Sequence, residues 1–268
     1  MENKVVIITG GSSGIGKACA ESFGRAGAKI VITGRNRENL SEVSNELEKS
    51  GIDVLSIVAD SANEQDNKRM IEETLARFGK IDVLINNAGI TMRSQFNEVD
   101  LNVFKKVMDI NFYGTVYATK YALPHILKSK GSVVGISSIA GHRGLPERTA
   151  YSSSKFAMQG FLESLRTELL KKEVHVLAAC PGFTTSNIRN RALTKDGSVQ
   201  GESPRDEDKM MSAEEVAEAI LKAVKHRKRD LVLTTQGKFT VMMNKLLPGL
   251  MDKIVYKTLA KEKNTSLN

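Results

Sequence analysis

Tyr151 and Lys155 stand four residues apart in Tyr151-Ser152-Ser153-Ser154-Lys155, and Ser138 lies thirteen residues upstream of the tyrosine. On a helix that spacing puts the phenol and the ammonium on one face. A free phenol, with a pKa near ~10, exchanges protons poorly at neutral pH. A nearby cation favours the phenolate, so Lys155, with the positive edge of a bound nicotinamide, is expected to lower that value and let Tyr151 pass a proton to a carbonyl oxygen as hydride reaches the carbon. Ser138 would hydrogen-bond the same oxygen as negative charge develops. A lone Tyr-x-x-x-Lys is a weak signal. It gains weight because it opens a helical pattern and follows an apolar run that ends beside Ser138, and strand ends are where α/β sheets place their ligands.

A second set of residues could hold an anion. Thr9-Gly10-Gly11-Ser12-Ser13-Gly14-Ile15-Gly16 joins a β-branched run to a helical pattern. Gly10, Gly14 and Gly16 let backbone approach a pyrophosphate, and Ser12, Ser13 and Ile15 belong to a helix N-terminus whose free N–H groups would face it. The spacing is T-G-x-x-x-G-x-G rather than G-x-G-x-x-G, since Cys19 stands where a glycine or alanine would be needed. The next β-branched run ends Thr33-Gly34-Arg35, and no Asp or Glu occurs between Lys29 and Arg37. An acid there would grip ribose hydroxyls, whereas Arg35 can pair with a 2′-phosphate, so NADP(H) is the expected cofactor. Asp60, after the third run, could accept from the adenine amino group.

In order along residues 4–182, Thr9–Gly16, Asp60, Asn86-Asn87-Ala88-Gly89, Asn111, Ser138, Tyr151 with Lys155, and Pro181-Gly182 form a series. With it the chain resembles the short-chain dehydrogenase/reductase family. The resemblance implies that Asn87 and Gly89 stand beside the cofactor and that Asn86–Gly89 steadies the central sheet. It also implies that Asn111 holds a water linking Lys155 to solvent, that Lys155 holds the nicotinamide ribose, and that Pro181, Gly182 and Phe183 line the nicotinamide. Thr184 and Ser186 would then contact the carboxamide. The family's usual threonine four residues after that glycine is here Ser186, a small departure.

The elements that must position these residues are legible as alternating runs. Lys4–Thr9, Lys29–Thr33, Asp53–Val58, Ile81–Asn86, Ser132–Ser137 and Val174–Ala179 read as strands buried on both faces, with Leu231–Thr234 as a last strand. Ile15–Ala26, Arg37–Lys49, Glu64–Phe78, Leu101–Leu127 and Ser152–Lys171 read as helices. Ser212 with Glu215 forms a capping-box signature at the start of a further helix, Ser212–Lys225. The expected fold is α/β: a single doubly wound parallel sheet (Rossmann-like, order 3-2-1-4-5-6-7) with helices on both faces and a C-terminal helical extension. Residues 1–236 are expected to form the dinucleotide-binding and catalytic domain, with the polar stretch 187–211 as a mobile substrate loop. Residues 237–268 then form an amphipathic extension.

Composition limits the alternatives. Among 268 residues, 39 Lys and Arg exceed 31 Asp and Glu by eight, and 41% are hydrophobic, which excludes disorder and coiled coil. Five of the excess charges fall in residues 181–268. The cluster Lys222, Lys225, Arg227, Lys228 and Arg229 complements a helix C-terminus. Without interleaved aromatics it does not suit nucleic acid. Phe239–Leu259 carries an apolar stripe broken at Pro248-Gly249, with Lys253, Lys257 and Lys261 on another face. That segment is expected to form a subunit contact of a homodimer or homotetramer, or to touch a membrane peripherally. Cys19 and Cys180 give no disulfide framework, and no His, Cys, Asp or Glu spacing suits a metal. The apolar run Val5–Ile8 is too short for a secretory leader and no run is long enough to span a bilayer, so a cytoplasmic setting is expected. The resulting expectation is an NADP(H)-dependent oxidoreductase interconverting a carbonyl and a secondary alcohol on an apolar or lipid-like small molecule. The rivals are a 3-oxoacyl thioester reductase and a non-catalytic NADP(H)-binding regulator.

Overall fold

The computed structural model describes residues 1–206 and 210–267. Seven parallel strands lie in the order β3-β2-β1-β4-β5-β6-β7. They are β1 (Val5–Ile8), β2 (Lys29–Gly34), β3 (Val54–Val58), β4 (Val83–Asn86), β5 (Ser132–Ile136), β6 (His175–Cys180) and β7 (Asp230–Val232). Side chains of a strand alternate between faces. In β1, Val6 and Ile8 therefore join one core cluster while Val5 and Ile7 join the other. All four are fully buried, and burial of such side chains contributes about 1.5–3 kcal/mol each. This two-sided burial is why the run carries no polar residue.

The helices cover both faces. On one side, α1 (Gly14–Arg25), α2 (Arg37–Lys49) and α7 (Ala213–Lys225) pack with Phe23, Leu47 and Ile220. On the other lie α3 (Glu64–Phe78), α5 (Gly114–Ser129) and α6 (Thr149–Glu168), with Met70, Ala118 and Met158. Ser212 and Glu215 form the reciprocal capping box expected of them.

One expectation needs correction. The stretch Leu101–Leu127 is not one helix: α4 (Leu101–Met108) passes through a π-helical turn at Asp109–Tyr113 before α5 begins. Such a wide turn is a recurrent feature of functional sites, and here it carries Asn111. Residues 187–211 contain no regular helix or strand where they are described, but they make contacts with the rest of the chain; positions 207–209 lie outside the described residues. Leu193 bridges to Met92 and Val199, Met211 bridges to Thr184, and Ala192 and Leu193 are buried. Leu193 joins Met92, Val103 and Val107 in a small third apolar cluster, so this polar-looking segment is anchored by two apolar residues.

The C-terminal residues form α8 (Thr235–Leu246) and α9 (Pro248–Leu259), separated at Leu247 with proline opening α9. Only Met251 and Leu259 of the apolar stripe are buried, whereas Phe239, Met242, Leu246, Leu250 and Ile254 are exposed. Among the described residues no helix is long and apolar enough to cross a membrane.

Candidate active site

The strand order reverses between β1 and β4, and an open α/β sheet leaves a crevice at that switch point. The loops after both strands meet there. Thr9 Oγ accepts from the N–H groups of Asn87 and Ala88, each at 3.0 Å, and Asn87 Nδ2 donates to Thr9 O and Gly10 O at 2.9 and 3.1 Å. Gly10 and Gly14 have positive φ, at 66° and 52°. At Gly16 the constraint is contact instead, because a Cβ would lie 2.2 Å from Gly10 O. Asparagine side chains cap α2 and α3, and Asp100 caps α4, but Ser13 makes no side-chain cap to α1 and the first turn of α1 holds no acid. An open, uncapped N-terminus beside a glycine cradle fits a pyrophosphate. Ser186 closes over it, since a Cβ at Gly14 would lie 3.5 Å from Ser186 Cβ.

The cleft beyond this cradle has a volume of about 170 Å³. Ile15, Asn87, Gly89, Ser138, Tyr151, Lys155, Pro181, Gly182, Thr184 and Ser186 line it, so ten of the sequence-selected residues converge. Gly10, Ser12, Ser13, Gly14 and Gly16 form the adjoining turn. Thr184 is buried, with its hydroxyl donating to Gly182 O at 3.2 Å. Arg35 and Asp60 sit apart, at the ends of β2 and β3. Arg35 is exposed. A Cβ at Gly34 would lie 3.0 Å from Ser12 Oγ, which brings that hydroxyl against the end of β2. Asp60 accepts from Ala62 N at 3.0 Å, the turn-forming role.

Tyr151 falls in the first turn of α6, which puts its hydroxyl under the cleft. Lys155, one turn on, is buried and donates to Ile136 O at 2.8 Å, with its ammonium 5.7 Å from the Tyr151 ring centroid. Burial pushes the Lys155 pKa down to about 8. The chain by itself does not lower the Tyr151 pKa. Burial raises it, and this outweighs the Ser138 hydrogen bond and the more distant charges of Arg189 and Arg148, all of which favour phenolate. Tyr151 therefore rests as a neutral phenol with its proton in place. Ser138 Oγ accepts from Ala140 N at 3.1 Å, which leaves its own O–H to donate.

Asn111 lies behind this set and is fully buried. Its Oδ1 accepts from Ile90 N at 2.8 Å, and Nδ2 donates to Ile90 O and Ser154 Oγ, each at 2.9 Å. Ser154 Oγ in turn donates to Tyr151 O at 2.7 Å. A Cβ at Gly89 would lie 3.2 Å from Asn111 Oδ1 and 3.6 Å from Lys155 Nζ, so this glycine backbone runs close beside both side chains.

Leu145, Arg148, Ile188, Arg189 and Arg205 also line the cleft and were not selected from sequence, whereas Phe183, expected beside the nicotinamide with Pro181 and Gly182, lines it too. No local spacing marks the five, because they come from two separate loops. His142 Nε2 lies 3.0 Å from Gln159 Nε2, and burial holds its pKa down. Among the described residues no group of three His, Cys, Asp or Glu could hold a metal ion.

Comparison with known proteins agrees with this geometry. The family model "short chain dehydrogenase" matches residues 4–197. A mouse protein, "Dehydrogenase/reductase SDR family member 7B", is 38% identical over 99% of this chain and 84% of its own length. "Uncharacterized oxidoreductase YxnA" of Bacillus subtilis (strain 168) is 34% identical over 97% of this chain and 73% of its own. Among solved structures, a short chain dehydrogenase/reductase from Burkholderia phymatum in complex with NAD matches with a TM-score of 0.84 at 24% identity, over 93% of this chain and 95% of that one. An alcohol dehydrogenase from the archaeon Thermococcus sibiricus, complexed with 5-hydroxy-NADP, matches with a TM-score of 0.77 at 24% identity, over 87% and 96%. The chain belongs to the short chain dehydrogenase family.

Proposed function

We propose that this oxidoreductase uses NADP(H) to interconvert a carbonyl and a secondary alcohol, with Tyr151 as the acid and base. The observation that carries the reading is the convergence of Ser138, Tyr151 and Lys155 on one cleft beside an uncapped helix N-terminus. A nicotinamide dinucleotide held there supplies or accepts the hydride. The chain's own residues do the rest. In reduction, the neutral Tyr151 gives its proton to the carbonyl oxygen while Ser138 donates a hydrogen bond to the same atom. Lys155, charged below about pH 8, stabilises the phenolate left behind. Asn111, through Ser154, positions the main chain at Tyr151.

Preference for NADP(H) rests on Arg35, exposed at the end of β2 without an acidic neighbour in sequence and with Ser12 turned toward the same corner. Leu145, Phe183 and Ile188 support a substrate with an apolar body, and the arginines on the same wall favour a polar end. The buried thiols Cys19 and Cys180 suit a reducing cytoplasmic setting. The open apolar face of α8 and α9 supports a sister subunit or a membrane surface as its cover, which sedimentation velocity and liposome co-sedimentation separate.

The test follows NADPH and NADH consumption with a panel of ketones, aldehydes and 3-oxoacyl thioesters, by wild type and Tyr151→Phe. NADPH-dependent turnover lost in the variant is expected. A Tyr151→Phe enzyme at wild-type rate overturns the mechanism, and absence of turnover with normal NADPH binding favours a regulator.

A further inference from the structure

Five charged side chains from distant parts of the chain meet beside the substrate cleft. Arg93 follows β4, Glu147 and Arg148 precede Tyr151, Arg205 belongs to the segment 187–211, and Glu262 lies just past α9. The Glu262 side chain is 4% exposed. Its Oε2 lies 2.5 Å from an Arg148 guanidinium nitrogen and 3.8 Å from one of Arg93, and its Oε1 accepts from Arg205 Nε at 2.6 Å. Glu147 accepts from Arg93 Nε at 3.2 Å and takes the backbone N–H and the hydroxyl of Ser266 at 2.7 and 2.6 Å. The last residues of the chain are therefore tied down at two carboxylates.

Two of these arginines serve the cleft as well. Arg148 and Arg205 both line it, and the Arg205 guanidinium lies 3.9 Å from the ring centroid of Phe183, a third wall residue. Among the described residues, Glu262 is the carboxylate paired with both arginines. Without Glu262, two like charges on one wall would repel each other and swing toward solvent.

We propose that Glu262 is a positioning residue for the reaction: from beyond the last helix it fixes Arg148 and Arg205 as the wall of the cleft that faces Tyr151. The proposal rests on Tyr151 being the proton donor. Tyr151 is faced by Lys155 from its own helix, by Arg148 at the N-cap of that helix, by Arg189 from the segment 187–211, by the Cys180 thiol from β6 and by Ser138. Glu262 holds the Arg148 charge in that set. Removing it lets Arg148 swing toward solvent and so takes away a charge that favours phenolate.

The experiment uses the full chain as wild type, Glu262→Gln, Glu262→Asp and Lys263→Ala. The last breaks the exposed Lys263–Glu202 pair, 3.2 Å, and loosens the same segment without touching the arginines. With a carbonyl from the panel above, Glu262→Gln is expected to raise KM on the order of tenfold to a hundredfold, the penalty for a displaced wall. The limb of the kcat profile that belongs to Tyr151 should move to higher pH. NADPH affinity by fluorescence should stay at the wild-type value, Glu262→Asp should recover part of the KM, and Lys263→Ala should match wild type. Peptide mass spectrometry after phenylglyoxal treatment gives a readout free of turnover: Arg148 and Arg205 protected in wild type, modified in Glu262→Gln.

Wild-type KM, pH profile and protection in Glu262→Gln overturn the proposal, and so does an equal loss in Lys263→Ala. If Glu262→Gln does not fold, Glu262→Asp decides, because its shorter carboxylate must retreat from Arg205; unchanged KM there is equally fatal. A fully active Tyr151→Phe enzyme breaks the underlying mechanism instead, and the labelling result stays interpretable.

Discussion

The two walls of the cleft are held by different physics. The wall formed by Thr9–Gly16 and Asn87 is built from main chain: two glycines with positive φ, one glycine excluded from carrying a Cβ, and an amide that donates to two carbonyls. The wall formed by Arg148, Arg205 and Glu262 is built from side-chain charge, taken out of water and matched across more than fifty residues of sequence. A backbone wall fails when a side chain is added. A charged wall fails when one is taken away, because the partner is left buried and unpaired.

Gly16→Ala should do the most damage to the first wall. Its Cβ would meet Gly10 O at 2.2 Å and Asn87 Nδ2 at 2.5 Å, and the carbonyl is backbone that cannot swing aside. Overpacking of this kind costs about 1–3 kcal/mol, so affinity for both NADPH and NADH should fall about tenfold to a hundredfold in a fluorescence titration. Wild-type affinity would mean that the loop is softer than the comparison holds.

Arg35→Ala probes the far end of the same wall, where specificity rather than shape is at stake. A charge-assisted hydrogen bond to phosphate is worth about 1.5–3 kcal/mol, so NADPH affinity should drop about tenfold with NADH unchanged. Equal losses for the two nucleotides would assign Arg35 a structural role.

Lys155 lies between the walls, and its cost shows in stability. Its folded pKa is about 8 against the ordinary 10.5, and burial is the cause. The unfolded chain thus binds more protons between those values. The penalty is fully present below about pH 8 and disappears as pH rises through the window. Lys155→Met should raise the melting temperature at pH 7 by a few degrees, with a gap that closes by about pH 10. A variant melting below wild type at both pH values would show that the bond to Ile136 O outweighs the burial penalty.

The smallest effect belongs to the second wall. Ser266→Ala removes one donor to Glu147 and should lower stability by about 0.5–1.5 kcal/mol, read as a shift of about 1–4 °C in calorimetry. NADPH affinity should not change. A variant that loses nucleotide binding would join two walls that the structure keeps separate.

Much of the first wall was legible along the chain. Val5–Ile8 had to be a two-sided strand, Gly10–Gly16 had to be a turn into a helix, and Ser212 with Glu215 had to open one, because each depends on neighbours within a few residues. The pair Tyr151 and Lys155 was legible for the same reason. The protonation of Tyr151 was not, since it depends on how deeply the cleft buries the phenol. The break at Asp109–Tyr113 escaped because an apolar period continues across a π-helical turn. Arg148, Arg205 and Glu262 escaped because each reads as an ordinary surface charge.

The sequence by itself determined the order of strands and helices, the anion cradle and the family, since backbone conformation and hydrophobic period are local properties. Only the tertiary structure decided which charges lose their water. That depends on where the segment 187–211 and the residues after α9 come to rest over the sheet. A buried guanidinium must find its carboxylate in whatever part of the chain is placed against it, and no spacing along the sequence records that meeting.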